Sequence, residues 1–186
     1  MAFYTTDELN ELGFKALGKN IKISTRAAIY RPEEMEVGDN VRIDDFCIVS
    51  GKIKFGRNVH LAQFSNVSGG ASGVVFDDFS GLAYGCHVFT GSDDYSGKTL
   101  TNATVPFEYK GHSEASIYLG RHVIIGTNSV IFPGVSLAEG TAVGALSMIT
   151  KNTLPWSIYF GAPAKKIKDR KKDLLTLEQR YLNKFD

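Results

Sequence analysis

Proton transfer near neutral pH calls first on histidine, and the chain holds four: His60, His87, His112 and His122. Position separates them. His60 and His87 each immediately precede an aliphatic residue, Leu61 and Val88, in short strand-like stretches, so their rings point outward and line a flank. His122 occupies the same slot of a turn as Asn58 and reads as exposed decoration; Tyr109-Lys110-Gly111-His112-Ser113 reads as solvent-exposed loop. Two adjacent acids, Asp93 and Asp94, open that loop, where a carboxylate can accept a proton or orient a histidine supplied from elsewhere. The competing reading is a plain turn, because Asp93-Asp94-Tyr95-Ser96-Gly97 is built of turn formers. Toward the other end, Lys151, Lys165, Lys166 and Lys168 gather positive charge suited to phosphates. A solvated basic terminus offsetting a helix dipole explains Lys171 and Lys172 better than it explains Lys165.

The elements that must hold these residues are set by one period. An aliphatic residue returns every sixth position through Leu119, Ile125, Ile131, Leu137, Val143 and Ile149. The same beat runs through Val37, Ile43, Val49, Phe55, Leu61 and Val67, and again through Phe76, Leu82 and Val88. Helices repeat near 3.6 and two-faced strands at 2, so a period of six fits neither. It fits a parallel β-helix, an all-β solenoid in which each hexad is one strand plus a corner and three hexads make a triangular coil. Four positions after each aliphatic stands a small or β-branched residue, Val41, Cys47, Ile53, Val59 and Ser65 early, Val123, Ser129, Val135, Thr141 and Ser147 late, which should turn inward at tight corners. Glycine often follows the aliphatic directly, as in Val37-Gly38 and Ile125-Gly126, consistent with a turn that a side chain would obstruct.

Three segments break the beat. Residues 1–16 read as a cap, with Thr6, Asp7 and Glu8 opening a short helix that closes at Gly13. The β-helix is expected over 17–160, with a loop at 91–116 ejected after Val88; a loop that long inside a regular solenoid points to function. Residues 161–186 form a closing segment and a helix, with Leu174, Leu175, Leu177, Tyr181 and Leu182 at helical spacing, docked on the last coil or a neighbouring subunit. At 186 residues, 43% hydrophobic and a formal net charge of +1, the composition fits one well-buried core and argues against nucleic acid as a partner. No apolar run approaches a membrane span and the N-terminus lacks the order of a signal peptide, so a cytoplasmic location is expected. Cys47 and Cys86 fall at inward positions and read as core thiols; no Cys/His set has metal-ligand spacing, so no metal is expected.

The run Leu119-Gly120-Arg121-His122-Val123-Ile124-Ile125-Gly126, with Ile131-Phe132-Pro133-Gly134-Val135, Val143-Gly144-Ala145-Leu146-Ser147 and the closing Gly161-Ala162-Pro163-Ala164-Lys165, resembles the hexapeptide-repeat acyltransferases with a left-handed β-helix, of the galactoside and maltose O-acetyltransferase type. Ser92-Asp93-Asp94-Tyr95-Ser96-Gly97 is similar to sugar O-acetyltransferases of bacterial surface-polysaccharide synthesis. The resemblance implies a homotrimer, acetyl-CoA lying between neighbouring β-helices, and transfer to a sugar hydroxyl. It assigns CoA binding to the backbone near Ala145 and to the lysines after Pro163. A pantetheine arm needs a narrow groove with exposed backbone groups, which Gly126, Thr127, Gly144, Ala145 and Ser147 should provide along one edge. Gln63 matches a position lining the acceptor site.

One departure matters: the histidine that such enzymes carry at the start of the ejected loop is most nearly Ser92 here. The base has moved or is absent. His60 is the favoured replacement, meeting Asp94 of the next chain in a composite site; Asp93 or Asp94 acting directly, His87, or no protein base remain open. Ser92, His87 and Tyr95 join Gln63 as acceptor contacts, although Tyr95, like Phe89, Phe107 and Tyr109, would serve equally to clamp the loop. Two rival functions stand beside sugar O-acetylation. One is N-acetylation of a nucleotide-linked amino sugar, although many such enzymes carry an N-terminal nucleotide-binding domain for which there is no room before residue 17. The other is a non-catalytic, CoA-binding or scaffold solenoid; a zinc enzyme on this fold needs three converging histidines, and only His60 and His87 lie on neighbouring faces.

Overall fold

In the computed structural model, which describes residues 2–184, each hexad becomes one short strand and one corner. Val37 pairs with Phe55, Ile43 with Leu61 and Val49 with Val67, each eighteen residues further on, so three hexads close one coil. The stacked coils form three sheets of six, eight and six strands, and the chain is a left-handed parallel β-helix. The first face runs from Ala16–Leu17 through Met35–Val37, Ile53–Phe55, Val74–Phe76 and Ile117–Leu119 to Ser136–Leu137. The second runs from Lys22–Ile23 through Arg42–Ile43, His60–Leu61, Gly81–Leu82 and Ile124–Ile125 to Ala142–Val143. The third runs from Ala28–Tyr30 through Ile48–Ser50, Asn66–Ser68, His87–Phe89 and Val130–Ile131 to Met148–Ile149.

Burial follows the beat. The sixth-position residues from Val37 to Ile149 are at most 4% exposed, and the largest of them, Phe55 and Phe76, stack at 5.2 Å inside the prism. The small second positions are buried as well, including the polar ones, whose hydroxyls find carbonyls: Ser65 Oγ donates to Ala83 O and Ser129 Oγ to Gly144 O of the next coil, both at 3.0 Å, and Thr141 Oγ1 to Ala138 O of its own corner at 2.7 Å. Cys47 and Cys86 are free and buried, and burial pushes the Cys47 thiol up to about 11.

The corner glycines have a different reason from the one the turn predicts. A Cβ on Gly126 would stand 2.5 Å from Ala145 N of the next coil, without any left-handed φ at Gly126. Close stacking of backbones, not turn geometry, excludes a side chain. The left-handed residues lie further round each corner. Asn20, Asn40, Asn58, Phe79, His122 and Trp156 share the corner between the first and second faces, and Phe46, Phe64, Gly85, Asn128 and Leu146 share the next. That so many are not glycine means each coil holds a strained conformation by its contacts.

Thr6–Glu11 is a short helix whose N-cap is Thr5, one residue ahead of the sequence expectation, in a capping box with Glu8. The long loop leaves the third corner through Gly91–Asp93 and returns antiparallel through His112–Glu114. Both backbone N–H groups of Ala71 and Ser72 donate to the Glu114 carboxylate at 2.7 Å, pinning the loop base to a turn of the preceding coil. At the bottom, Ser157–Gly161 extends the second face and Ala164–Asp169 folds back on it. The helix Leu174–Leu182 then returns to the first corner of its own chain.

Candidate active site

Outward positions of the second face place His60 directly between Arg42 above and Gly81 below. The missing side chain at Gly81 leaves an open groove of about 390 Å³, bounded by His60, Ile124, Phe79, Asn58 and Tyr84. His60 is the one imidazole among the residues lining it, with the Tyr84 phenol at the other edge. Its ring is 49% exposed and its Nε2 lies 2.9 Å from Asp44 Oδ2, whose side chain is only 5% exposed. Arg42 Nε donates to the other oxygen of Asp44 at 2.7 Å. Burial works to raise the Asp44 carboxyl, but the hydrogen bonds from His60 and Arg42 outweigh it and hold the group below its ordinary range. An ionised acid therefore stands behind the imidazole. Asp44 was missed by sequence reasoning because nothing in Ile43-Asp44-Asp45 marks it; the only signal is a spacing of sixteen residues, nearly one coil, to His60.

The loop acids stand elsewhere. Face two is opposite the third corner, from which the loop departs, so Asp93 and Asp94 of the same chain do not meet His60. Asp94 accepts from Ser96 N and Oγ and from Thr99 Oγ1, and these bonds hold it below the usual carboxylate range. Asp93 Oδ2 accepts from Asn102 N, while Ser92 Oγ donates to Asp93 O. Ser92 and Asp93 line a separate polar hollow with Thr90, His112 and Glu114. Tyr95 is 93% exposed at the loop, and His87 points to solvent from the third face.

The proposed carrier edge divides. Gln63, Tyr84, Thr127 and Ala145 share the second corner, continuous with the His60 face. Gly126 and Gly144 are explained by packing: a Cβ on Gly144 would stand 2.4 Å from Phe160. Ser147 is buried, and its hydroxyl accepts from Gly161 N at 3.1 Å. Lys165 and Lys168 are exposed on the closing hairpin, whose turn holds Pro163; Lys166 pairs with Asp169 at 2.7 Å. Lys151 leaves the last coil at the third corner, across the prism from them. Among the described residues no group of three His, Cys, Asp or Glu is placed to hold a metal, and no helix is long and apolar enough to cross a membrane.

His122 corrects the surface reading. It is 8% exposed, stacks on Phe79 at 5.3 Å, and its Nε2 lies 3.0 Å from Glu178 of the C-terminal helix, which also binds Arg121. Tyr181 donates to Asn58 Oδ1 at 3.0 Å, so this helix buttresses two residues that line the groove. Burial works to raise Glu178, yet the bonds from Arg121 and His122 hold it below its ordinary value of 4.5. A depressed folded pKa adds stability above the unfolded value, and that stability is lost as pH falls through the folded one. Acidifying below about 4.5 should therefore loosen the helix, and Glu178→Gln should remove that dependence while lowering stability at pH 7. Fluorescence of Trp156, the only tryptophan, with Lys172 at 5.5 Å from its ring, reads the change; an acid transition unaltered in the variant would refute this role.

No family model matches the chain. It is 38% identical to the dTDP-4-amino-4,6-dideoxy-D-glucose acyltransferase of Escherichia coli, over 96% of this chain and 94% of that one. Its fold superposes with a TM-score of 0.97 and 42% identity on AntD, an N-acyltransferase from Bacillus cereus in complex with dTDP and 3-hydroxybutyryl-CoA, over 100% of this chain and 99% of that one. A maltose O-acetyltransferase from Clostridium difficile is far more distant, at 19% identity and a TM-score of 0.57 over 89% of this chain and 75% of that one, and shares the fold alone.

Proposed function

The chain belongs to the hexapeptide-repeat β-solenoid acyltransferases, and on that premise we propose that it moves an acyl group from an acyl-CoA to the amino group of a dTDP-linked 4-amino-4,6-dideoxy sugar. What carries the reading is near full-length identity of 38% and 42% to two proteins whose names specify that amino sugar, or dTDP together with an acyl-CoA. Amine acceptance replaces the hydroxyl acceptance first expected, since the O-acetyltransferase likeness extends only to fold.

The chemistry asks for a base, and His60 fits the task. The acceptor nitrogen attacks the thioester carbonyl and becomes positively charged; His60 takes its proton. The tetrahedral intermediate then collapses, the C–S bond breaks, and the departing thiolate recovers the proton as free CoA. The corner of Thr127 and Ala145, with its small side chains, suits the pantetheine arm, and the exposed Lys165 and Lys168 suit the phosphates of CoA. The reading includes a homotrimer, because the loop and the second face lie on opposite sides of one prism and a neighbour's loop could then close the groove. The N-acylated nucleotide sugar would then feed surface-polysaccharide assembly.

Purified protein given acetyl-CoA and dTDP-4-amino-4,6-dideoxy-D-glucose should release one CoA per N-acetylated sugar by mass spectrometry. The 4-hydroxy counterpart should react at least about a hundredfold more slowly, because a site built around one polar group rejects its analogue. Equal rates on both, or transfer to the hydroxyl sugar alone, would overturn the amine assignment.

A further inference from the structure

We infer that Asp44 is a positioning residue that fixes which ring nitrogen of His60 is basic, making Nδ1, and not Nε2, the atom that takes the acceptor's proton. The inference rests on the reading of His60 as base. Asp44 Oδ2 lies 2.9 Å from His60 Nε2, and an ionised carboxylate can only accept, so Nε2 carries the hydrogen. Two features keep Asp44 ionised and still. Arg42 Nε donates to Oδ1 at 2.7 Å, and the Arg42 guanidinium is itself packed over the Phe3 ring at 5.5 Å. The Asp44 backbone N–H donates to Leu61 O of the next coil at 3.0 Å, locking its main chain to the strand that bears His60. With Nε2 so occupied, the neutral imidazole has one lone pair left, on Nδ1, and His60 lines the groove.

The pairing also orients the ring. Half of the imidazole is exposed, and an unpaired ring on this face would change rotamer by rotation and tautomer by proton exchange with solvent. A bond to a buried acid removes that freedom before substrate arrives, which lowers the barrier to proton transfer without touching the substrate. Loss of Asp44 should accordingly appear in kcat and not in KM for acyl-CoA.

The test pairs NMR with kinetics on the full-length protein. Long-range proton–nitrogen spectra of histidine-labelled protein should show neutral His60 as the Nε2–H tautomer, with the Nδ1–H form gaining population in Asp44→Asn. Asp44→Asn should lower kcat about a hundredfold, within the range that general-base and triad-carboxylate losses show, at a KM for acyl-CoA within twofold of the parent. An Nδ1–H tautomer in the parent protein overturns the inference without need of any variant. A fully active Asp44→Asn beside an inactive His60→Ala overturns the inference alone; a fully active His60→Ala overturns it together with the assignment of His60 as base.

Discussion

His60→Ala is expected to lower kcat by about two to four orders of magnitude, the range for loss of a positioned general base, while leaving KM for acyl-CoA within twofold. The separation of effects follows from geometry. His60 lies on the second face beside the Gly81 notch, whereas the surfaces proposed for the carrier lie on the adjoining corner and the closing hairpin. The fold should tolerate the change, because Asp44 keeps its bond to Arg42 and the lost ring is half exposed. Steady-state rates with the dTDP-linked amino sugar and acetyl-CoA, read beside a thermal melt, separate chemistry from stability. Turnover near that of the parent would remove His60 as base and leave the loop acids Asp93 and Asp94 as the next candidates.

The largest stability effect is expected from Phe76→Ala. Phe76 is fully buried, spans the middle of the prism against Phe55, and pairs in register with strands on both sides. Truncating a buried phenylalanine costs about 3–5 kcal/mol, a lost transfer term plus a cavity that its surroundings fill only in part. In a chain of this length that corresponds to a fall in Tm of roughly 6–20 °C. A central coil is a severe place for such a cavity, since each coil is supported only by its neighbours and the damage weakens both junctions. Circular dichroism melts of Phe76→Ala and Phe76→Leu measure it; a fall below about 3 °C for alanine would mean that Phe55 and the next coil collapse into the space.

The fold was legible because its signal is steric and local. With three sides of one hexad each, a triangular coil repeats its inward positions every six residues, and every residue from Val37 to Val67 and from Leu119 to Ile149 on the aliphatic beat is buried. Cys47, Ser65 and Thr141 were legible as inward residues for the same reason. The site was less so. His60 could be placed on an outward flank by alternation, but its partner was sought in Asp93 and Asp94, the acids nearest a break in the pattern. Within its own chain the partner is Asp44, an acid inside the regular coil. His122 reads as exposed in the sequence because it sits at an outer corner of the solenoid, and only the returning helix covers it.

The sequence by itself therefore determined the period, the inward set and the point at which the loop departs, since each depends on residues a few positions apart and on volume alone. The tertiary structure decided which polar groups meet. Asp44 reaches His60 across sixteen residues and Glu178 reaches His122 across fifty-six, distances set by coil register and by where the last helix docks. A hydrogen bond tolerates errors of a few tenths of an ångström, and no local pattern of apolar residues constrains a pair of side chains that closely.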